Sequence, residues 1–93
     1  MTEFILVVDD NPTNLSVLTQ ALKSAGFKVR VAVDGESAIE QVEYDQPALI
    51  LLDVQMPGID GFETCIQLKS NPSTYDIPII FMKALADKES KLK

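Results

Sequence analysis

The sequence predicts an α/β domain built on a parallel sheet with helices on both faces. Three observations carry this prediction. Strand-like and helix-like segments alternate along the 93 residues, with four strand candidates in all. The first of these, residues 4–8, and the third, residues 48–53 up to the terminal Asp53, are apolar without alternation, as expected of strands buried on both faces. Capping and breaking residues separate each apolar run from the helical segment beside it, which is the pattern of repeated strand–helix units.

The elements follow in order. "FILVV" (4–8) is the first strand. Asn11 caps a helix with Pro12 at its first position. Leu15, Leu18, Leu22 and Ala25 recur at helical spacing, and Gly26 stands where a C-terminal cap belongs. "FKVRVAV" (27–33) alternates and is β-branched, so it reads as a strand nearer an edge. Asp34-Gly35 opens a short helix with Ala38, Ile39 and Val42 on one face, and Pro47 ends it. "ALILLD" (48–53) is the most hydrophobic strand and is expected at the centre. Asp60 with Glu63 makes a capping-box-like start. Phe62 and Ile66, with Cys65 or Lys69 beside them, are expected to define the buried face of that helix. "NPST" breaks it, "IPIIFM" (77–82) is the fourth strand, and Asp87 is expected to cap a last helix. No internal repeat or low-complexity stretch interrupts the pattern.

Length and composition narrow the function. The chain reads as one domain over 1–93. Its net charge of −6, from fourteen acids and eight bases, argues against nucleic acid or an anionic membrane as a direct partner and is compatible with a cation site. The single cysteine, Cys65, cannot form an internal disulfide and fits a reducing compartment. No apolar run approaches a membrane span or a secretory leader, so the expected location is the cytoplasm. The absence of histidine excludes imidazole catalysis and histidine-ligated zinc within the chain.

In a parallel sheet of this kind, ligands bind beyond the carboxyl ends of the strands. The strand ends deliver Asp9 and Asp10 after the first, Asp53 after the third and Lys83 after the fourth, all to one rim. Asp34, Asp60 and Asp87 each lead into a helix and are explained as caps. The other three aspartates come together from separate strands. Two adjacent carboxylates repel by about 4 kcal/mol at ~4 Å with an effective dielectric near 20. Clustered carboxylates without histidine suit a hard cation, and Mg²⁺ fits best, because it combines one or two carboxylates with waters and phosphate oxygens. A carboxylate can itself be a nucleophile toward phosphorus, giving an acyl phosphate.

"LVVDDNPTN", "LILLDVQMPGIDG" and "IPIIFMKALAD" resemble the receiver domain of two-component response regulators, in that order and at those spacings. The resemblance covers essentially the whole chain. It implies a flavodoxin-like doubly wound parallel sheet, here four strands in the order 2-1-3-4, with the family's fifth strand–helix unit missing and the domain incomplete at its C-terminus. It implies that Asp53 accepts phosphate from a phosphohistidine on a histidine kinase or phosphotransfer protein. It implies Mg²⁺ bound directly by Asp10, Asp53 and the Gln55 carbonyl, with Asp9 acting through water. Met56-Pro57-Gly58 would shape the loop beside the acceptor.

Lys83 departs from the resembled pattern, which places a Ser or Thr hydroxyl at that strand end. Its ammonium is expected among Asp9, Asp10 and Asp53 as a tethered cation, and the domain is expected to be impaired as a switch. The chemistry would be at most self-phosphorylation and dephosphorylation. The rival reading is a pseudo-receiver that binds partners and is never phosphorylated. An aspartyl phosphatase is disfavoured by the lack of Asp-x-Asp at the first strand end. A dinucleotide enzyme is disfavoured by the lack of Gly-x-Gly-x-x-Gly there. With the fourth strand as an edge, a homodimer through that strand and the "ALADKESKLK" segment is expected.

Overall fold

The structure is a computed structural model that describes residues 3–82. Its elements run β1 (Ile5–Val8), α1 (Pro12–Ser24), β2 (Val29–Ala32), α2 (Gly35–Tyr44), β3 (Leu49–Asp53), α3 (Gly61–Lys69) and β4 (Ile79–Met82). The strands form one parallel sheet in the order β2-β1-β3-β4, the flavodoxin-like arrangement expected from the sequence. The strands β2 and β4 are shorter than their apolar runs; Lys28 and Pro78, just before them, still accept through their carbonyls from Ile5 N at 2.9 Å and Ile50 N at 3.0 Å.

Strand alternation distributes the core between two faces. Leu6, Val8, Ile50 and Leu52 point to the side covered by α2 and α3, where they pack with Ala38, Val42 and Leu68. Ile5 and Val7 point to the other side and pack with Leu15, with Leu18 and Leu22 of α1 beside them. The sheet is therefore doubly wound, with α1 on one face and α2 and α3 on the other. Both inner strands are central, but every residue of β1 is buried whereas β3 is buried only in part, so β1 and not β3 is the most enclosed strand.

The helix starts are set by the predicted caps. Asn11 Oδ1 accepts from the Thr13 and Asn14 N–H groups at 2.8 and 3.2 Å. Asp34 Oδ1 accepts from Ser37 N at 2.8 Å, and Asp60 Oδ1 from Glu63 N at 2.8 Å. Glu63 does not close the reciprocal half of a capping box, because its carboxylate accepts from Gln67 at 3.1 Å instead. Gly26 ends α1 with φ +98°, a conformation that favours glycine.

The buried face of α3 differs from expectation. Phe62 and Ile66 are 54% and 60% exposed, and the inward stripe is Gly61, Thr64 and Leu68. The reason is steric. A Cβ on Gly61 would collide with the Asp53 carbonyl, so the helix start can lie against the end of β3 only with glycine there. Thr64 can be fully buried because its hydroxyl donates to the Asp60 carbonyl at 2.8 Å. Phe62 is turned to the side and meets Phe81 of β4 with ring centroids 5.1 Å apart. Ile80 and Phe81, one on each face of β4, are also exposed. Lys83, Asp87 and the "ALADKESKLK" segment lie outside the described residues.

Candidate functional site

The site is built by strand register. Val8 of β1 pairs with Leu52 of β3, so the next residues, Asp9 and Asp53, stand at the same level at the ends of neighbouring strands. Parallel strands lie about 4.8 Å apart, so these carboxylates cannot be distant. Asp9 and Asp53 are both only 3% exposed, while Asp10 faces solvent. One oxygen from each of Asp9, Asp10 and Asp53 lies within 4.8 Å of the others. The three border an open cavity of about 400 Å³, whose wall is completed by Asn14, Gln55 and Met56 among others.

The two buried carboxylates are held differently. Asp9 accepts from Asn11 N at 2.9 Å through Oδ1 and from Asn14 Nδ2 at 3.2 Å through Oδ2. Asp53 receives one long bond, from Gln55 N to Oδ1 at 3.4 Å. Burial raises the Asp53 carboxyl from its ordinary 3.8 to about 6, and the charge of Asp9 adds to the rise. The Gln55 N–H opposes it, and the nearness of the Asp9 carboxyl, which favours a shared proton, and the charge of Asp10 push the same way as burial.

The structure thus brings together Asp9, Asp10, Asp53 and Gln55 from the sequence-based candidates. Lys83 is outside the described residues, but Met82, immediately before it, pairs with Asp53. The sequence reading did not single out Asn14 as a site residue. The available signal was its position in the first turn of a helix that starts just after Asp9-Asp10, where side chains lean back toward the helix N-terminus. Carboxylate oxygens at this spacing, with room for water, are the donor set that a small hard cation prefers.

A family model described as the response regulator receiver domain matches residues 5–93. The chain belongs to this family. Among similar proteins, response regulator PleD of Caulobacter vibrioides is 40% identical over the whole of the receiver chain, which spans 20% of that relative. The alkaline phosphatase synthesis transcriptional regulatory protein PhoP of Bacillus subtilis is 37% identical over 99% of the chain, which spans 38% of it. The receiver chain therefore corresponds to a minor part of the length of these relatives. A putative response regulator from Chloroflexus aurantiacus has a similar structure, with TM-score 0.86 and 35% identity over 99% of this chain and 75% of its own. Response regulator protein TrrA of Thermotoga maritima, in complex with Mg(2+)-BeF, matches with TM-score 0.83 and 32% identity over 98% of this receiver and 77% of its own chain.

The raised Asp53 carboxyl has a measurable consequence for the metal-free receiver. Its folded pKa, about 6, lies above the ordinary 3.8, so between these values the folded state binds more protons than the unfolded state. The Asp53 contribution therefore destabilises the fold as pH rises through this window. Asp53→Asn should remove that slope and stabilise the metal-free protein at pH 7. The gain is on the order of 1–3 kcal/mol, the upper end being the full linkage value and the lower end allowing for screening through the open cavity. Thermal unfolding of both proteins from pH 4 to 7 checks this. The expected result is a wild-type midpoint that drops relative to the variant as pH rises.

Proposed function

We propose that this receiver accepts a phosphoryl group on Asp53 from the phosphohistidine of a histidine kinase or phosphotransfer protein, with Mg²⁺ held by Asp10, Asp53 and the Gln55 carbonyl and by Asp9 through water. The observation that carries the reading is the convergence of three carboxylates, two of them buried, at the mouth of one cavity. That the Thermotoga neighbour is described with Mg(2+)-BeF supports a cation at the corresponding rim. A bound Mg²⁺ supplies positive charge that offsets the carboxylates and admits an anionic phosphoryl group. With its carboxyl near 6, Asp53 is mostly ionised at pH 7 and so is in the nucleophilic form. One of its oxygens forms the O–P bond as the P–N bond to the donor imidazole breaks. The imidazole keeps the bonding electron pair and takes a proton from solvent. The net charge of −6 and the free Cys65 support a cytoplasmic setting without direct nucleic-acid or membrane binding. No helix among the described residues is long and apolar enough to cross a membrane.

Incubation with Mg²⁺ and a small acyl phosphate donor tests the reading. The wild type should gain one phosphoryl mass, and Asp53→Asn should gain none. No gain by the wild type with the donor or with a phosphorylated kinase favours the pseudo-receiver, which would act by binding alone.

Impairment as a switch rests on Lys83, where a hydroxyl is expected from the family pattern. Its ammonium would compete with Mg²⁺ for the same carboxylates, at an interaction of a few kcal/mol at most. Lys83→Thr should therefore tighten Mg²⁺ binding, measured by calorimetric titration. Equal affinities would mean that the lysine charge does not reach the site.

Self-association is the remaining part of the proposal. Phe62, Ile66, Ile80 and Phe81 are exposed apolar side chains on α3 and β4. A surface of this kind supports pairing of two copies along β4. Sedimentation at micromolar concentration should show a dimer, and a stable monomer would sink this part.

A further inference from the structure

We propose that Asn14 is a positioning residue for the acidic site: its amide fixes the Asp9 carboxylate and thereby sets the affinity of the site for Mg²⁺. The inference rests on the phosphoacceptor reading and adds to it a residue outside the ligand set. Asn14 is the third residue of α1, and its side chain donates to Asp9 Oδ2 at 3.2 Å. The helix does not need this amide as a cap, because Asn11 Oδ1 already accepts from both Thr13 N and Asn14 N. The same two bonds seat the Asn14 backbone, so the amide starts from a fixed point. Asp9 Oδ1 is taken by Asn11 N at 2.9 Å. With one donor on each oxygen, the plane of a carboxylate that is only 3% exposed is set from both sides. Asn14 also lines the cavity that Asp53 borders.

Two effects of removing the amide oppose each other. Asp9 would lose a donor, so its charge would call more strongly for a cation. It would also lose its orientation. Loss of an outer partner of a metal-site carboxylate generally weakens binding by 10–100-fold, so orientation is the larger effect. On the proposed reading Asp9 would act through water, which places the expected loss at the low end of that range.

Calorimetric titration of Mg²⁺ into the wild type, Asn14→Ala, Asn14→Leu and Asn14→Gln tests this, with Ser16→Ala on the same helix as a control. Asn14→Ala should bind Mg²⁺ ~10-fold more weakly, Asn14→Gln should recover part of the loss, and Ser16→Ala should match the wild type. Asn14→Leu keeps most of the side-chain volume without the donor, and it decides the matter if Asn14→Ala fails to fold. Metal-free thermal unfolding runs alongside, because a purely structural residue would lower the midpoint and leave the affinity unchanged. Donor-less variants that bind Mg²⁺ as tightly as the wild type, or more tightly, overturn the role of Asn14. A wild type that binds no Mg²⁺ overturns the phosphoacceptor site itself, and with it this inference.

Discussion

Repulsion between Asp9 and Asp53 is the constraint around which the rim is organised. It is imposed by the sheet, since the β1–β3 register ends with Val8 opposite Leu52 and the next residue on each strand is an aspartate. At ~4 Å the cost is about 1 kcal/mol in bulk water and about 4 kcal/mol at an effective dielectric near 20. The near-complete burial of both residues puts the site toward the larger figure. The protein meets this cost unequally. Two donors converge on Asp9, whereas Asp53 has one long N–H bond from Gln55. Burial, with the charge of Asp9 added, drives upward the carboxyl at the end of β3, which borders the cavity. Unequal environments for paired acids are a common way of assigning distinct roles to identical side chains.

The carboxylates cannot relieve the repulsion by sliding apart, because both strands are locked from two sides. Leu6, Val8, Ile50 and Leu52 are buried toward α2 and α3, and Ile5 and Val7 toward α1. A shift of one residue in either strand would exchange the two faces and place every side chain in the wrong half of the core. Repulsion of a few kcal/mol is smaller than the burial of six such side chains at ~1.5–3 kcal/mol each. The core therefore dictates the site, and the site adapts through hydrogen bonds and protonation.

The sheet and three of the four rim candidates were legible because they depend on local signals. Apolar runs marked the strands, Asn11, Asp34 and Asp60 marked the helix starts, and strand ends placed Asp9, Asp10 and Asp53 on one rim. What could not be read depends on contacts between elements. Phe62 and Ile66 are large apolar residues of α3, yet the inward stripe is Gly61, Thr64 and Leu68, because Gly61 must pass the Asp53 carbonyl and Thr64 can bury a satisfied hydroxyl. The bond from Asn14 to Asp9 spans a strand end and a helix start, so neither element's own periodicity reveals it. The greater enclosure of β1 over β3 is a matter of what covers each strand rather than of its own hydrophobicity.

The helix α3 links the acceptor to the strand beside it. At its start, Gly61 N donates to the Val54 carbonyl at 2.8 Å, closing the loop that leaves Asp53. At its end, Lys69 Nζ donates to the carbonyls of Tyr75 and Ile77 at 2.8 and 2.7 Å, and the Thr74 hydroxyl donates to the Leu68 carbonyl at 2.6 Å. These bonds fasten the helix to the segment that enters β4. That strand then runs back beside β3 until Met82 stands opposite Asp53. Close approach at Gly35, where a Cβ would strike Ile59 and Thr64, presses the start of α2 against the same loop and helix. Backbone on both sides of the acceptor is thus tied to one helix, and no flexible side chain intervenes at Gly61 or Gly35 to absorb a movement. The same helix and strand carry the exposed Phe62, Ile66 and Phe81, so the contacts that close the loop after Asp53 and those that seat the entry of β4 lie on one side of the domain.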